Sequence, residues 1–198
     1  MLEVACVKWG TKYSADYVNR LARAVVRNMQ IPFKFVCYTD DPEGLWCLHA
    51  PIPGTIKVEG WWNKLTLFGL RKEVLLIDLD CVIVGDLSPF VHSDALAIKD
   101  PWQWGFNSSV VRIPANMGYV YDDFLVTRPD MRGMHGDQDW LNVTPGFSPG
   151  RCFEEGWCAS YKAEVKGKRV PEDCRVVYFH GEPKPHQVKE QFVIDNWR

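Results

Sequence analysis

Two aspartates interrupt an apolar run. In VLLIDLDCVIVGDL, Val74 to Leu87, Asp78 and Asp80 stand where a buried strand ordinarily carries no charge. Carboxylates at i and i+2 of an extended segment face the same side, so the pair can grip one object together. Like charges this close repel unless something neutralises them. A divalent cation is the simplest remedy, and an all-oxygen site favours Mg²⁺ or Mn²⁺ over zinc. The competing reading is that both aspartates begin a solvated turn, where Asp is common. Leu79 and the apolar CVIV that follows leave room only for a very short one.

Other elements must position the pair. Val4 to Val7 reads as a strand ending at Trp9-Gly10. Ser14 can cap a helix with Asp16 in its first turn and an apolar stripe of Val18, Leu21, Ala22, Val25, Val26 and Met29. Ile31-Pro32 closes it, and FKFVCYTDD supplies a second strand. Strand, helix, strand is a βαβ unit, with a parallel pair and a right-handed crossover. Val74 to Ile77 is apolar on both faces, as at a sheet centre, so Asp78 falls at the C-terminal end of a central strand, where open α/β sheets place ligands. Residues 45–50, 95–99 and 108–113 are short strand candidates, and GWWNKLTLFGL is a short helix. The spacing predicts helices over 117–127 and 136–142, loops over 145–171 and a final strand over 175–179.

Composition bounds the function. The 198 residues form one domain, 1–198, of α/β class. A net charge of -2 provides no footprint for nucleic acid or anionic lipid. No apolar run reaches the roughly 18 residues of a membrane span, and the N-terminus lacks the parts of a signal peptide. The expected location is cytoplasmic, at most peripheral at a membrane surface. Seven cysteines without a CxxC pair fit reduced, partly buried thiols, and their spacing matches no common zinc finger.

Asp-x-Asp at a strand end serves two kinds of enzyme, and DLDCVIV alone resembles both. In haloacid dehalogenase-like phosphatases Asp78 would be the nucleophile. In GT-A glycosyltransferases the pair would hold a metal on a nucleotide-sugar diphosphate. The phosphatase motif normally opens its chain, whereas here a βαβ unit precedes it. Downstream, FNSSVVRI, GDQDWLN and FHGEPKPH follow in order. With WWNKLTLF, these segments resemble glycosyltransferase family 8, which includes glycogenin and bacterial lipopolysaccharide galactosyltransferases.

The resemblance implies a single GT-A domain, with a Rossmann-like nucleotide-binding half and a mixed, mainly parallel central sheet flanked by helices. It implies Mn²⁺ or Mg²⁺ on Asp78, Asp80 and His180, and a donor held by Lys64, Asp78, Asn107, Ser108, Gly181 and Lys184. Asp137, Gln138 and Asp139 would lie beside the anomeric carbon, although Asp and Gln also suit a helix start. Trp9 and Tyr13 are candidates to face the base, and Asp40 to bond base or ribose. Trp61, Trp62, Trp102 and Trp104 offer faces suited to sugar rings, with an acceptor placed near 102–106. The implied activity is retaining hexosyl transfer from a UDP-sugar to a glycan, lipid-linked saccharide or protein. The alternatives are the phosphatase and a catalytically inactive carbohydrate-binding module. One departure stands out: the family spaces its last segment His-x-x-Gly-x-x-Lys-Pro-Trp, whereas here Gly181 follows His180 directly and His186 replaces the Trp.

Overall fold

The computed structural model describes residues 1–147 and 149–198. Strand β1 (Leu2–Lys8), helix α1 (Ala15–Asn28) and strand β2 (Phe33–Thr39) form the expected βαβ unit, with Cys6 opposite Cys37 in a parallel register. The short strand β3 (Leu48–Ala50) extends β2 in parallel. After a 3₁₀ segment at Gly60–Leu70, strand β4 (Val74–Ile77) pairs in parallel with the other side of β1. Strand β5 (Cys81–Ile83) then leaves the sheet, and helix α2 (Ser88–His92) leads to strand β6 (Ala97–Lys99). Strand β7 (Phe106–Ile113) returns antiparallel to both β4 and β6. The main sheet order is therefore β3-β2-β1-β4-β7-β6, mainly parallel with one reversed strand.

Both faces of this sheet are buried, which is why its central strands lack polar alternation. Val4 and Cys6 of β1 face one core with Leu21 and Val25 of α1. Ala5 and Val7 face a second core, with Leu65 and Phe68 of the 3₁₀ segment and with helices α3 (Tyr119–Thr127) and α4 (Asp137–Val143).

A second sheet carries the C-terminal third. Strand β8 (Cys158–Ser160) pairs in parallel with β9 (Val176–Tyr178), which pairs antiparallel with β5. The last helix, α5 (Gln191–Asn196), docks on α1 where Arg20 and Arg27 donate to the carbonyls of Trp197 and Asn196, each at 2.7 Å.

Several expectations are corrected. The loop stretch 145–171 contains β8 and a π-helical turn at Tyr161–Val165, while Ser148 within it lies outside the described residues. The strand at 175–179 is not the last element, because α5 follows. On α1, Val26 is 66% exposed and Ala24 is buried in its place, and the Ser14 side chain makes no capping hydrogen bond. Asp78 and Asp80 flank a tight turn in which the Cys81 amide donates to the Asp78 carbonyl, so the i, i+2 geometry of one straight strand is not what joins them. The turn is short because the chain crosses from one sheet to the other there, and the second sheet covers it.

At the opposite end of β1, Glu3 is 1% exposed and accepts from the Tyr38 hydroxyl at 2.7 Å and Lys72 at 2.8 Å, with Lys34 at 3.1 Å. Burial alone would raise its pKa, but bonds from Lys72, Tyr38 and Lys34 outweigh burial and hold it below the ordinary 4.5. A carboxylate with a lowered folded pKa contributes stability above its unfolded pKa and loses it as pH falls through the folded value. Glu3→Gln is therefore expected to cost roughly 2–3 kcal/mol at neutral pH. In thermal unfolding across a pH series, the gap from the unmodified chain should narrow as pH drops below 4.5. A gap that stays constant with pH would assign the loss to packing.

Candidate active site

Strand ends converge on one cavity of about 270 Å³. The C-terminal ends of β1 and β4 reach it, as ligand sites in open α/β sheets do. Because β7 runs opposite to β4, its N-terminal residues Asn107 and Ser108 arrive there too. The Asp78 amide donates to the Ser109 carbonyl at 2.8 Å, extending that pairing beyond β4. The second sheet supplies the far wall. Cys81 of β5 pairs with Tyr178 of β9, and the Phe179 amide donates to the Asp80 carbonyl, so the chain leaving β9 passes Asp80 and presents His180, Gly181 and Lys184.

Two ammonium groups neutralise the carboxylates. Lys64 is buried in the 3₁₀ segment, and its Nζ lies 3.0 Å from Asp78 Oδ1 and 2.9 Å from Asp137 Oδ2. It also donates to the Ser108 carbonyl and hydroxyl, each at 3.2 Å. Burial alone would lower the Lys64 pKa. The charges of Asp137 and Asp78 outweigh it and keep the ammonium protonated above its ordinary range. Asp78 is pushed up to about 7, first by burial and then by the nearby Asp80 and Asp137 charges, against the pull of Lys64.

Asp80 is 6% exposed, and its Oδ2 accepts from Lys184 Nζ at 2.5 Å and from the Tyr13 hydroxyl at 2.7 Å. The Tyr13 phenol is raised by burial and by Asp80, so it remains a donor. His186 hydrogen-bonds the Tyr17 hydroxyl through Nδ1 and sets its ring edge-on to that ring, tying the segment to α1.

Every expected metal, donor and catalytic residue except Asp40 lines this cavity, including Trp9 and the helix-start trio Asp137, Gln138 and Asp139. Of the tryptophans expected to face sugars, Trp61 lines it, Trp102 and Trp104 lie outside it, and Trp62 is buried in the core against Phe124, where no sugar can reach its face. Asp40 instead accepts from the Gly10 amide at 3.0 Å and lines a neighbouring cavity of about 990 Å³ beyond Trp9. Gln138 Nε2 donates to Asp100 Oδ2 at 3.0 Å, and Asp139 accepts from the His135 amide at 3.0 Å. His180 faces the cavity, but its Nε2 shares a 2.9 Å hydrogen bond with Ser160 Oγ, and burial holds its pKa below the ordinary value. Among the described residues, no three His, Cys, Asp or Glu side chains converge as a metal site.

Sequence reading passed over Lys12, Asp100, His135 and Ser160. Lys12 lies over the Tyr13 and Trp61 rings at the cavity rim, and Asp100 is a buried carboxylate behind Gln138. The only sequence signal for Asp100 was its place two residues after the apolar run ALAI and four residues before WGFN.

A mainly parallel sheet with one reversed strand, flanked by helices and carrying this cavity at its C-terminal edge, is the GT-A glycosyltransferase fold. The chain superposes on the galactosyltransferase LgtC, solved with donor and acceptor sugar analogues. The TM-score is 0.60 at 15% identity, over 92% of this chain and 88% of that one. On GlyE of Streptococcus pneumoniae the TM-score is 0.69 at 14% identity, over 100% of this chain and 62% of GlyE. On the bifunctional glycosyltransferase WbbM it is 0.66 at 11% identity, over 93% of this chain and 46% of WbbM. The chain thus spans less than two thirds of GlyE and less than half of WbbM. No family model matches the sequence, and no curated protein does. The likeness is one of fold. No helix among the described residues is long and apolar enough to cross a membrane.

Proposed function

We propose that the chain is a metal-dependent glycosyltransferase that moves a hexosyl group from a UDP-sugar to a hydroxyl of a glycan, lipid-linked saccharide or protein, with retention at the anomeric carbon. One observation carries the reading. Three separate segments of a GT-A fold bring two carboxylates, Asp78 and Asp80, and two buried ammonium groups, Lys64 and Lys184, to one cavity.

Breaking a sugar–phosphate bond places growing negative charge on the departing diphosphate, and groups that bind that charge more strongly as it develops lower the barrier. Lys184 is a flexible point charge that can transfer from Asp80 to a phosphate oxygen. Lys64 is held more firmly, between Asp78 and Asp137, and fixes the floor against β7. Asn107 and Ser108 offer amide and hydroxyl groups to the donor sugar. Gln138 has its NH₂ on Asp100, so its carbonyl oxygen is the polar atom left for an electron-poor anomeric centre. Asp137 is engaged with Lys64 and Asp139 with the His135 amide, so both act by positioning.

Two carboxylates with a diphosphate to complete the shell suit Mn²⁺ or Mg²⁺, which take few protein ligands when substrate phosphates supply the rest. Asp78 and Asp80 would hold the ion, with His180 on the same wall as the third candidate once it leaves Ser160. When bound, the ion supplies Lewis-acid stabilisation of the diphosphate.

Calorimetric titration with UDP, with and without Mn²⁺ and with GDP as control, tests the proposal. The expected outcome is UDP-selective binding that requires the metal. GDP-selective binding would change the donor class. Absence of nucleotide binding, with phosphate release from simple phosphomonoesters, would replace the transferase by the phosphatase.

A further inference from the structure

Beside the donor cavity runs a second concavity, of about 510 Å³, walled by Trp102 and Trp104 and edged by Lys99, Gln103, Pro101 and Cys152. Trp102 is 57% and Trp104 87% exposed, the latter an unusual position for the largest apolar side chain unless something covers it. These rings do not hang on a loose loop. Asp100 Oδ1 accepts from the Trp102 amide at 2.8 Å and the Gln103 amide at 3.1 Å, and the Asp100 amide donates to the Gly105 carbonyl at 3.0 Å. The Asn142 side chain brackets the exit, accepting from the Phe106 amide at 2.7 Å and donating to its carbonyl at 3.1 Å. The loop is thus built to hold two indoles out of the core.

Its position joins it to the reaction centre. The Trp102 ring stands edge-on to His180, centroids 4.1 Å apart, and the carboxylate that fixes the loop also holds Gln138. His180 and Gln138 both line the donor cavity.

We propose that this groove is a saccharide subsite that takes a pyranose ring of the acceptor, so that the acceptor is a glycan chain rather than a lone amino-acid hydroxyl. This rests on the transferase reading above. A pyranose offers an apolar C–H face that fits an indole and a rim of hydroxyls that needs donors and acceptors. The groove supplies both, with two indole faces and, among its lining residues, the exposed Gln103 and Lys99. The polar side chains of Lys99 and Gln103 at its edge match the hydroxyl rim of a sugar ring.

The test titrates the full chain with lactose, maltotetraose, cellotetraose and chitotetraose, following intrinsic tryptophan fluorescence, and titrates UDP with Mn²⁺ in parallel. At least one glycan should bind, and Trp104→Ala should weaken it about tenfold or more while Trp104→Phe retains most of the affinity. UDP affinity should not change in either variant. UDP binding with glycan affinity indifferent to Trp104→Ala and Trp102→Ala would overturn the subsite and leave the transferase reading standing. Glycan binding that depends on Trp104 without any UDP binding would keep the subsite and overturn the transferase. Gel filtration of the chain and of Trp104→Ala closes the remaining route: a dimer that dissociates in the variant would assign the groove to a second copy and overturn the proposal.

Discussion

Asp80→Asn is expected to abolish metal-dependent UDP binding and to lower sugar transfer by about 10³-fold or more. The carboxylate is the meeting point of the two sheets. Its Oδ2 receives Lys184 at 2.5 Å and Tyr13 at 2.7 Å, and its backbone carbonyl receives the Phe179 amide. The substitution keeps the shape and removes the charge, which leaves the Lys184 ammonium buried beside a neutral amide. An uncompensated buried charge is costly, so a fall in stability accompanies the functional loss. The double variant Asp80→Asn/Lys184→Met separates the two effects. It should recover most of the melting temperature and none of the metal-dependent binding. Lys184→Met alone frees Asp80 and is expected to strengthen Mn²⁺ binding in the absence of nucleotide while weakening UDP. Metal-dependent UDP binding that survives in Asp80→Asn would remove the aspartate pair from the metal.

The second large effect is on the fold of the site. Lys64→Ala should cost about 3–5 kcal/mol in denaturant unfolding, because it strands Asp78 and Asp137 near one another without their shared cation. The Asp78 carboxyl, already pushed up to about 7, would rise further. Adding Asp137→Asn removes one of the two stranded charges and should restore a measurable part of the loss, whereas at independent sites the two substitutions would simply add. A wild-type denaturation midpoint in Lys64→Ala would mean that the Asp78–Lys64–Asp137 arrangement is not what holds this wall together.

Much of this molecule can be read from residue order, where the signal is local. The βαβ unit follows from two apolar strands around an amphipathic helix, and β4 from four apolar residues ended by a charge. The aspartates could be assigned to the ligand end of a sheet for the same reason. The reading failed where periodicity is short or masked. β8 has three residues, within a stretch rich in Gly, Pro and charge, so it is not visible there, and the apolar residues of β9 mark a strand without marking its partners. On α1, Val26 and Ala24 exchange roles because only the packed neighbours decide which edge of an apolar stripe is covered. Asp100 escaped notice because its function is to receive Gln138, and that partner lies 38 residues away.

By itself, then, the sequence determined the α/β class, the first crossover and the types of side chain available for chemistry, since each depends on neighbours within a strand or a helical turn. Only the tertiary structure decided who neutralises whom. Lys184 meets Asp80 across 104 residues because β5 pairs with β9, and Lys64 joins Asp78 to Asp137 because the 3₁₀ segment lies under β7 and α4. Charge pairing at such separation follows from sheet topology, and three-residue strands encode that topology through packing with the rest of the chain rather than through any local pattern.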